Sequence, residues 1–382
     1  MKKVIRCILF ILLAAVVLAS VYIFLFPMDG EVKAFHAPVT EGYTGDFREN
    51  SRLSSLGRID IGGYTRPETV LYRDGYLYSS CHGQLIRTAE DGSGTELLFD
   101  SENGETIGFD FDPDGNIIFC DVRYAGTAPG IYKADLSGEE VTVSPVCTEV
   151  EGEKLCCPDA VTVAGDGIIY FSEATEFSPV KYGNANLAFQ YEGYYHSSNG
   201  KVCAYDPTTG EAWVVAEGFS GANGITTSWD GQYLYLCETM EYCIWRIPVT
   251  ARHAVKGNGA ELFLSNLPGY VDNLNKGQNG LYWVGLVSPR IPSWDKMLGS
   301  VLLRKIYLRF TEIPDPGSRE NMPATGTAAV FAFDDSGAVR EFLMAENSAY
   351  HSVTGALETE NRLYLHSNNY CGYIGYVDDW TP

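Results

Sequence analysis

Six positions spread over most of the chain could do chemistry together: Glu68, Gly108, Asp159, Asn223, Asp272 and Thr354, with Asn273 directly after Asp272. Each stands 7 or 8 residues before a turn marked by Gly or Asn, at Gly75, Gly115, Gly167, Gly231, Gly280 and Asn361. Each turn leads into an aromatic or apolar run, such as Tyr233-Leu-Tyr-Leu236 or Leu281-Tyr-Trp-Val284. If these positions open equivalent strands around one axis, three carboxylates and an amide converge at one mouth. Unpaired carboxylates that close repel one another and desolvate badly. A hard cation with oxygen ligands, Ca²⁺ above all, would resolve that. The alternative is that Asp and Asn merely start strands and cap turns. Glu68, a poor turn former, points to the metal.

The elements that must position them are strands. A short strand, a turn such as Asp230-Gly231 and a returning strand form one unit, the strongest local hairpin signal. Its recurrence at a period of roughly 40–50 residues, outside two insertions, predicts a propeller of four-stranded blades. The fold expected is all-β, a six-bladed β-propeller occupying residues 55–382. Leu56–Ile61 reads as an extra strand, and the last repeat has room for only about three strands. The N-terminal strand is therefore expected to complete the C-terminal blade and hide its open edge. Insertions at 176–199 and 288–325 break the rhythm, and such segments are usually functional loops. Within the second, Met297–Phe310 reads as a helix that caps the channel, packs on the propeller or lies on a membrane.

The chain has a net charge of −22, which argues against nucleic acid or an anionic membrane surface as the propeller's partner. Lys2, Lys3 and Arg6 precede an apolar run from Cys7 to Phe26, about 30 Å as helix and enough to span a bilayer. A cleaved signal peptide has a shorter core, so residues 1–27 are read as a transmembrane signal anchor. Its basic flank should stay cytoplasmic, with the propeller extracytoplasmic. Residues 28–54 are polar and irregular and read as a tether. Ten cysteines include Cys147, which could pair with Cys156 or Cys157, while Cys81, Cys120 and Cys237 read as buried apolar residues. Asp121, Glu173 and Glu238 end equivalent second strands, where they could form a second ring or make outward or interblade hydrogen bonds. His196 and His351 lie in loops that could reach the mouth as a general base. Without a Gly-x-Ser-x-Gly elbow, serine hydrolysis is not supported.

Several segments carry a resemblance: Arg66-Pro-Glu-Thr69, Gly200-Lys-Val-Cys-Ala-Tyr-Asp-Pro207, Ala222-Asn-Gly-Ile225, Leu236-Cys-Glu-Thr239, Leu267-Pro-Gly-Tyr-Val-Asp-Asn273 and Tyr282-Trp-Val-Gly285. In this order, over residues 55–377, they resemble the strictosidine-synthase-like / adipocyte plasma-membrane-associated protein family. The chain is more distantly similar to paraoxonases, gluconolactonases and regucalcin. The resemblance implies a six-bladed propeller and, from the metal-binding relatives, ligands at Glu68, Asn223 and Asp272. Asp159 stands where those relatives usually carry Asn, and Asn273 completes the Asp-Asn pair of paraoxonase-like enzymes. The condensing glutamate of true strictosidine synthases is not matched, since its position aligns with Thr354, and Glu358 falls toward the strand's other end.

Two functions follow as expectations. One is a Ca²⁺-dependent, arylesterase-like hydrolase of small-molecule esters or lactones, anchored to the membrane. The other is a tethered propeller with a structural metal that binds a ligand or partner without catalysis. Fold alone does not decide between them.

Overall fold

The repeat folds as antiparallel four-stranded units arranged about one axis. The computed structural model describes residues 2–102, 104–123 and 128–380. Beside a small two-stranded hairpin, Glu149–Val150 with Glu153–Lys154, four four-stranded sheets stand alone among the described residues. Their strands are Pro67–Arg73, Tyr76–Cys81, Gln84–Ala89 and Thr95–Asp100; Gly104–Phe111, Ile117–Arg123, Gly130–Asp135 and Thr142–Cys147; Gly269–Lys276, Tyr282–Pro289, Gly326–Phe333 and Val339–Ser348; and Val353–Glu358, Leu363–Ser367, Tyr373–Val377 and Gly57–Asp60. A nine-stranded sheet joins two further antiparallel runs, Pro158–Val163 to Ala212–Phe219 and Ala222–Thr227 to Gly259–Leu264. The short strand Ala254–Lys256 bridges them by parallel pairing.

Each run's first strand lies innermost and touches the first strands of its neighbours, and Pro67–Arg73 also touches Val353–Glu358. The result is a nearly closed, propeller-like ring. Its core is a circuit of clusters between neighbouring sheets. One is built on Val202, Val215, Leu234 and Leu236, the next on Tyr235, Val284 and Phe331, and the circuit closes at Ile59, Val70, Leu77 and Ile374. The strand Gly57–Asp60 pairs antiparallel with Tyr373–Val377, so the last sheet is completed from the N-terminal side as expected. Two neighbours cover each sheet, which is why the first strands are buried on both faces, Ala222–Thr227 along its whole length.

Among the described residues five α-helices stand outside the sheets. Lys2–Phe24 (α1) has no buried residue, and it is the one helix among the described residues long and apolar enough to cross a membrane. Pro179–Tyr182 (α2) and Ala185–Tyr195 (α3) fill the first insertion. Pro292–Leu298 (α4) and Val301–Phe310 (α5) fill the second. Ser300 breaks the expected single helix, its side chain accepting the Leu303 N–H as an N-cap. The segment from Pro27 to Leu56 is irregular apart from a short 3₁₀ turn at Gly45–Phe47. It lies along the body: Phe35 N–H donates to Leu298 O at 3.0 Å, and Leu53 is 1% exposed. All ten cysteines are free thiols. Cys147 and Cys156 do not pair; their Sγ atoms donate to Glu149 O at 3.3 Å and Glu176 O at 3.4 Å.

Candidate metal centre

Every first strand slips register at its ring position. The breaks fall between Pro67 and Thr69, Thr106 and Phe109, Pro158 and Val161, Ala222 and Ile225, Val271 and Leu274, and Val353 and Gly355. They enclose Glu68, Gly108, Asp159, Asn223, the Asp272–Asn273 pair and Thr354. A β-bulge bends its strand and re-aims the extra residue, so a local device repeated around the axis gathers these side chains. Glycine permits the crowding. A Cβ on Gly108 would lie 2.7 Å from Asp159 O, and one on Gly224 would lie 2.4 Å from Asp272 O.

The ring residues are in mutual reach. Asn273 Nδ2 donates to Glu68 O at 2.9 Å and to Glu68 Oε1 at 3.4 Å, and Thr354 Oγ1 donates to Glu68 O at 2.7 Å. Asn223 hydrogen-bonds Asp272. Asp159, Asn223, Asp272 and Asn273 are buried. Burial, followed by the Asp272 charge, pushes the Glu68 carboxyl up to about 8. Burial pushes Asp272 up to about 7. Asp159 is raised well above the usual carboxylate range, by burial and then by the charges of Glu68 and Asp272.

These groups fit a cation. Three carboxylates and two amides form an oxygen-only set, and no Lys or Arg is hydrogen-bonded to a ring carboxylate among the described residues. Asn223 Oδ1 is buried with no hydrogen-bond partner among them. An orphaned acceptor costs about 1–3 kcal/mol, and a hard cation would satisfy it.

The second-strand carboxylates play another part. Glu173 accepts Cys156 N–H and Cys157 N–H at 2.6 and 2.9 Å, Glu238 accepts Ser220 N–H at 2.6 Å, and Asp121 accepts Thr106 Oγ1–H at 3.0 Å. Each fastens the approach to its own first strand. Glu238, Glu241 and Cys243 have ligand atoms within 4.8 Å of one another, a spacing a metal could use. Lys256 Nζ already supplies the positive charge there, 2.5 Å from Glu238 and 2.7 Å from Glu241.

His196 lies buried against Phe35, ring centroids 4.6 Å apart, with Nε2 3.2 Å from Glu241 Oε1. His351 has Nδ1 2.8 Å from Ser352 Oγ and Nε2 2.9 Å from Pro323 O, tying the second insertion to the last sheet. Neither is hydrogen-bonded to a ring residue among the described residues.

Sequence reasoning missed a cluster beside the ring. Arg66 Nε donates to Asn368 Oδ1 at 2.7 Å, and Arg66 Nη1 lies 3.1 Å from His82 Nδ1. That nitrogen is also 3.4 Å from Glu105 Oε1. The charges of Arg66 and Glu105 are both felt at Glu68. Arg66 and His82 hold left-handed backbone, φ 62° and 49°, strain of a kind that gathers at functional sites. His82 is largely exposed, whereas Arg66 is buried. The Arg66 segment opens the first repeat, but no spacing signal links it to His82. Both insertions reach this place. Ala185 N–H, at the start of α3, donates to Glu105 at 3.1 Å, Asn184 Nδ2 donates to Asp315 Oδ2 at 2.7 Å, and Tyr370 O–H donates to Gly317 O at 2.8 Å.

A propeller-like ring whose bulged first strands gather oxygen ligands at one mouth defines the class of protein. The chain belongs to the SMP-30/gluconolactonase/LRE-like family, whose model matches residues 67–341; a strictosidine synthase-like N-terminal model matches residues 45–87. Strictosidine synthase-like protein 4 of Arabidopsis thaliana is 27% identical, the match covering 82% of this chain and 80% of that one. Human adipocyte plasma membrane-associated protein is 26% identical, covering 69% and 63%. Among solved structures, a gluconolactonase of Xanthomonas campestris aligns with a TM-score of 0.55 at 18% identity, covering 86% and 91%. The calcium-binding protein regucalcin of Agrobacterium tumefaciens aligns with a TM-score of 0.52 at 13% identity, covering 84% and 92%. These structures share the fold.

Proposed function

We propose that the chain is a membrane-anchored, six-bladed propeller that hydrolyses small-molecule esters or lactones with Ca²⁺ at its ring, the nine-stranded sheet counting as two blades. The orphaned Asn223 Oδ1 among Asp159, Glu68 and Asp272 carries this reading. Glu68, Asp159, Asn223, Asp272 and Asn273 would hold the ion, which when bound supplies polarisation of a carbonyl and stabilisation of the oxyanion. The gluconolactonase and calcium-binding relatives support the substrate class and the metal.

His82 is the proton donor this reading assigns. Arg66 can only donate, so Nδ1, 3.1 Å from Arg66 Nη1, is the acceptor, and the neutral ring carries its proton on Nε2, able to give it to the leaving oxygen. Arg66 thus holds the imidazole at Nδ1, with Glu105 beside the same contact. The exposed ring lies on the solvent side of the cluster, where a water can reach it.

The test is hydrolysis of aryl acetates and lactones by the full chain, with and without chelator. Activity should vanish with chelator and in Asp272→Ala, and fall by about 10²-fold or more in His82→Gln. Activity indifferent to both chelator and Asp272→Ala would remove the reading.

One observation favours the second reading, a binding module with a structural ion. The segment following α5 lies against the Arg66 cluster through Tyr370 and Asn184, as a closed lid would. Tight Ca²⁺ binding without turnover of any ester would select it. In both readings α1 crosses the membrane with its basic end cytoplasmic and the propeller outside.

A further inference from the structure

The second insertion leaves one face of α5 unexplained. Its inward side is accounted for. Val301 and Leu308 pack with Val32, Phe177 and Tyr195, and the fully buried Arg304 donates to the carbonyls of Lys33, Tyr194 and Tyr195. The other side presents Leu302, Leu303 and Phe310, 45%, 54% and 62% exposed, and Ile291 before α4 is 55% exposed. Single exposed leucines need no explanation, but this group sits on one insertion.

Charge sets the same insertion apart. The chain carries −22 overall, whereas Pro292–Phe310 has Lys296, Arg304, Lys305 and Arg309 against Asp295 alone. A basic helix with an apolar face is suited to the headgroup–acyl boundary of a bilayer.

The face is also continuous with α1. The Phe310 ring lies 5.7 Å from that of Tyr22, and the Arg309 guanidinium lies 4.9 Å from the Tyr22 ring centroid. Arg309 donates to Pro27 O at 2.9 Å and also to Phe26 O, so α5 supplies the cation at the end of the apolar segment. A cleft of about 380 Å³ between Phe24, Phe26 and Met28 on one side and Val301 and Lys305 on the other lies at this junction.

We propose that the Leu302–Leu303–Phe310 face of α5 docks into the surface of the bilayer that α1 crosses, turning the ring mouth toward the lipid. The mouth lies on that side because α5 leads straight into the segment that reaches Tyr370 at Gly317. Its neighbour α3 runs from Ala185, bonded to Glu105, to Tyr194, whose ring stacks on that of Tyr307 at 5.0 Å. Ester substrates would then arrive along the membrane, with Lys305 at headgroup level.

This rests on the reading of α1 as a span, and the experiment separates the two. The full chain is reconstituted into phosphatidylcholine–phosphatidylglycerol vesicles with a benzophenone amino acid at position 12, 303 or 229. Leu12 reports α1, Leu303 reports α5, and the exposed Trp229 follows the Asn223 strand at its other end. Irradiation should yield lipid adducts at 12 and 303 and none at 229, and Leu302→Asp with Leu303→Asp should abolish the adduct of a probe at Phe310. Adducts at 12 with none at 303 overturn the docking and leave the span. No adduct at 12 overturns both. Cross-linking from 303 to a second copy of the chain in place of lipid also overturns the docking.

Discussion

Three carboxylates raised by burial and by one another make the ring a place where charge is costly until something positive arrives. Glu68 and Asp272 hold their protons to about 8 and about 7 when no cation is bound, well above their values in the unfolded chain. The folded state therefore binds more protons than the unfolded one between about pH 4 and 8, and stability falls as pH rises through that window. Calcium should reverse the slope, since it favours the ionised ring. In chelator the melting temperature should drop from pH 5 to pH 8. The rise on adding Ca²⁺ should be small at pH 5 and large at pH 8, about 2.7 kcal/mol at hundredfold excess over Kd. Asp272→Asn should melt higher than wild type in chelator and lose the Ca²⁺ response. Thermal melts of both proteins at the two pH values check this, and an Asp272→Asn protein that melts lower in chelator and still responds would contradict it. The residue types at these positions were legible because each stands a fixed distance before its turn. Arg66, His82 and Glu105 were not legible together, because their meeting depends on two left-handed residues and on packing between neighbouring sheets.

At the scale of elements, strand and turn were read from the alternation of aromatic runs with Asp-Gly and Asn-Gly turns, a local property. The bulges were not, because a slip of register belongs to two paired strands and leaves no mark in either alone. The crowding they create gives a sharp contrast between glycines. Gly224→Ala places a methyl 2.4 Å from Asp272 O, against backbone that cannot move without opening the ring. Gly231→Ala, in the turn of the same hairpin at φ 70°, meets nothing within 4 Å and strains only its own backbone. The first should cost about 3 kcal/mol or more and the second about 1 kcal/mol, measured by urea denaturation. The insertion behaves as an element too. Tyr370→Phe removes the hydroxyl that binds Gly317 O, so trypsin should cut at Arg319 faster than in wild type, with little change in melting temperature. Unchanged cleavage would mean that other contacts hold that segment.

A circuit of intersheet clusters has no centre, so the whole molecule is only as closed as its weakest joint. That joint is the last sheet, whose outer strand, Gly57–Asp60, comes from the other end of the fold. The closing strand was legible because the last repeat was one strand short and an apolar run stood ahead of the first. The course of Pro27–Leu56 along the body was less so, because its anchoring residues, Phe35, Phe47 and Leu53 among them, are scattered through polar sequence without a period. Ile59 pairs with Ile374, is 4% exposed, and packs with Val70, Leu77 and Tyr364 in the cluster that joins the last sheet to the first. Ile59→Pro removes the side chain and fits poorly into a paired strand, at a cost of roughly 3 kcal/mol or more. If closure holds the ring together, the loss should not stay local. Ca²⁺ response should weaken along with stability, since Glu68 sits on the first strand of the sheet that this joint secures. Ile59→Ala, which keeps the backbone pairing, should lower stability by about 2–4 kcal/mol and keep the Ca²⁺ response. Hydrogen exchange of the full chain separates the outcomes: in Ile59→Pro, protection should fall in Pro67–Arg73 and Val353–Glu358 together. Loss confined to Tyr373–Val377 would show that the ring stands without its closing strand.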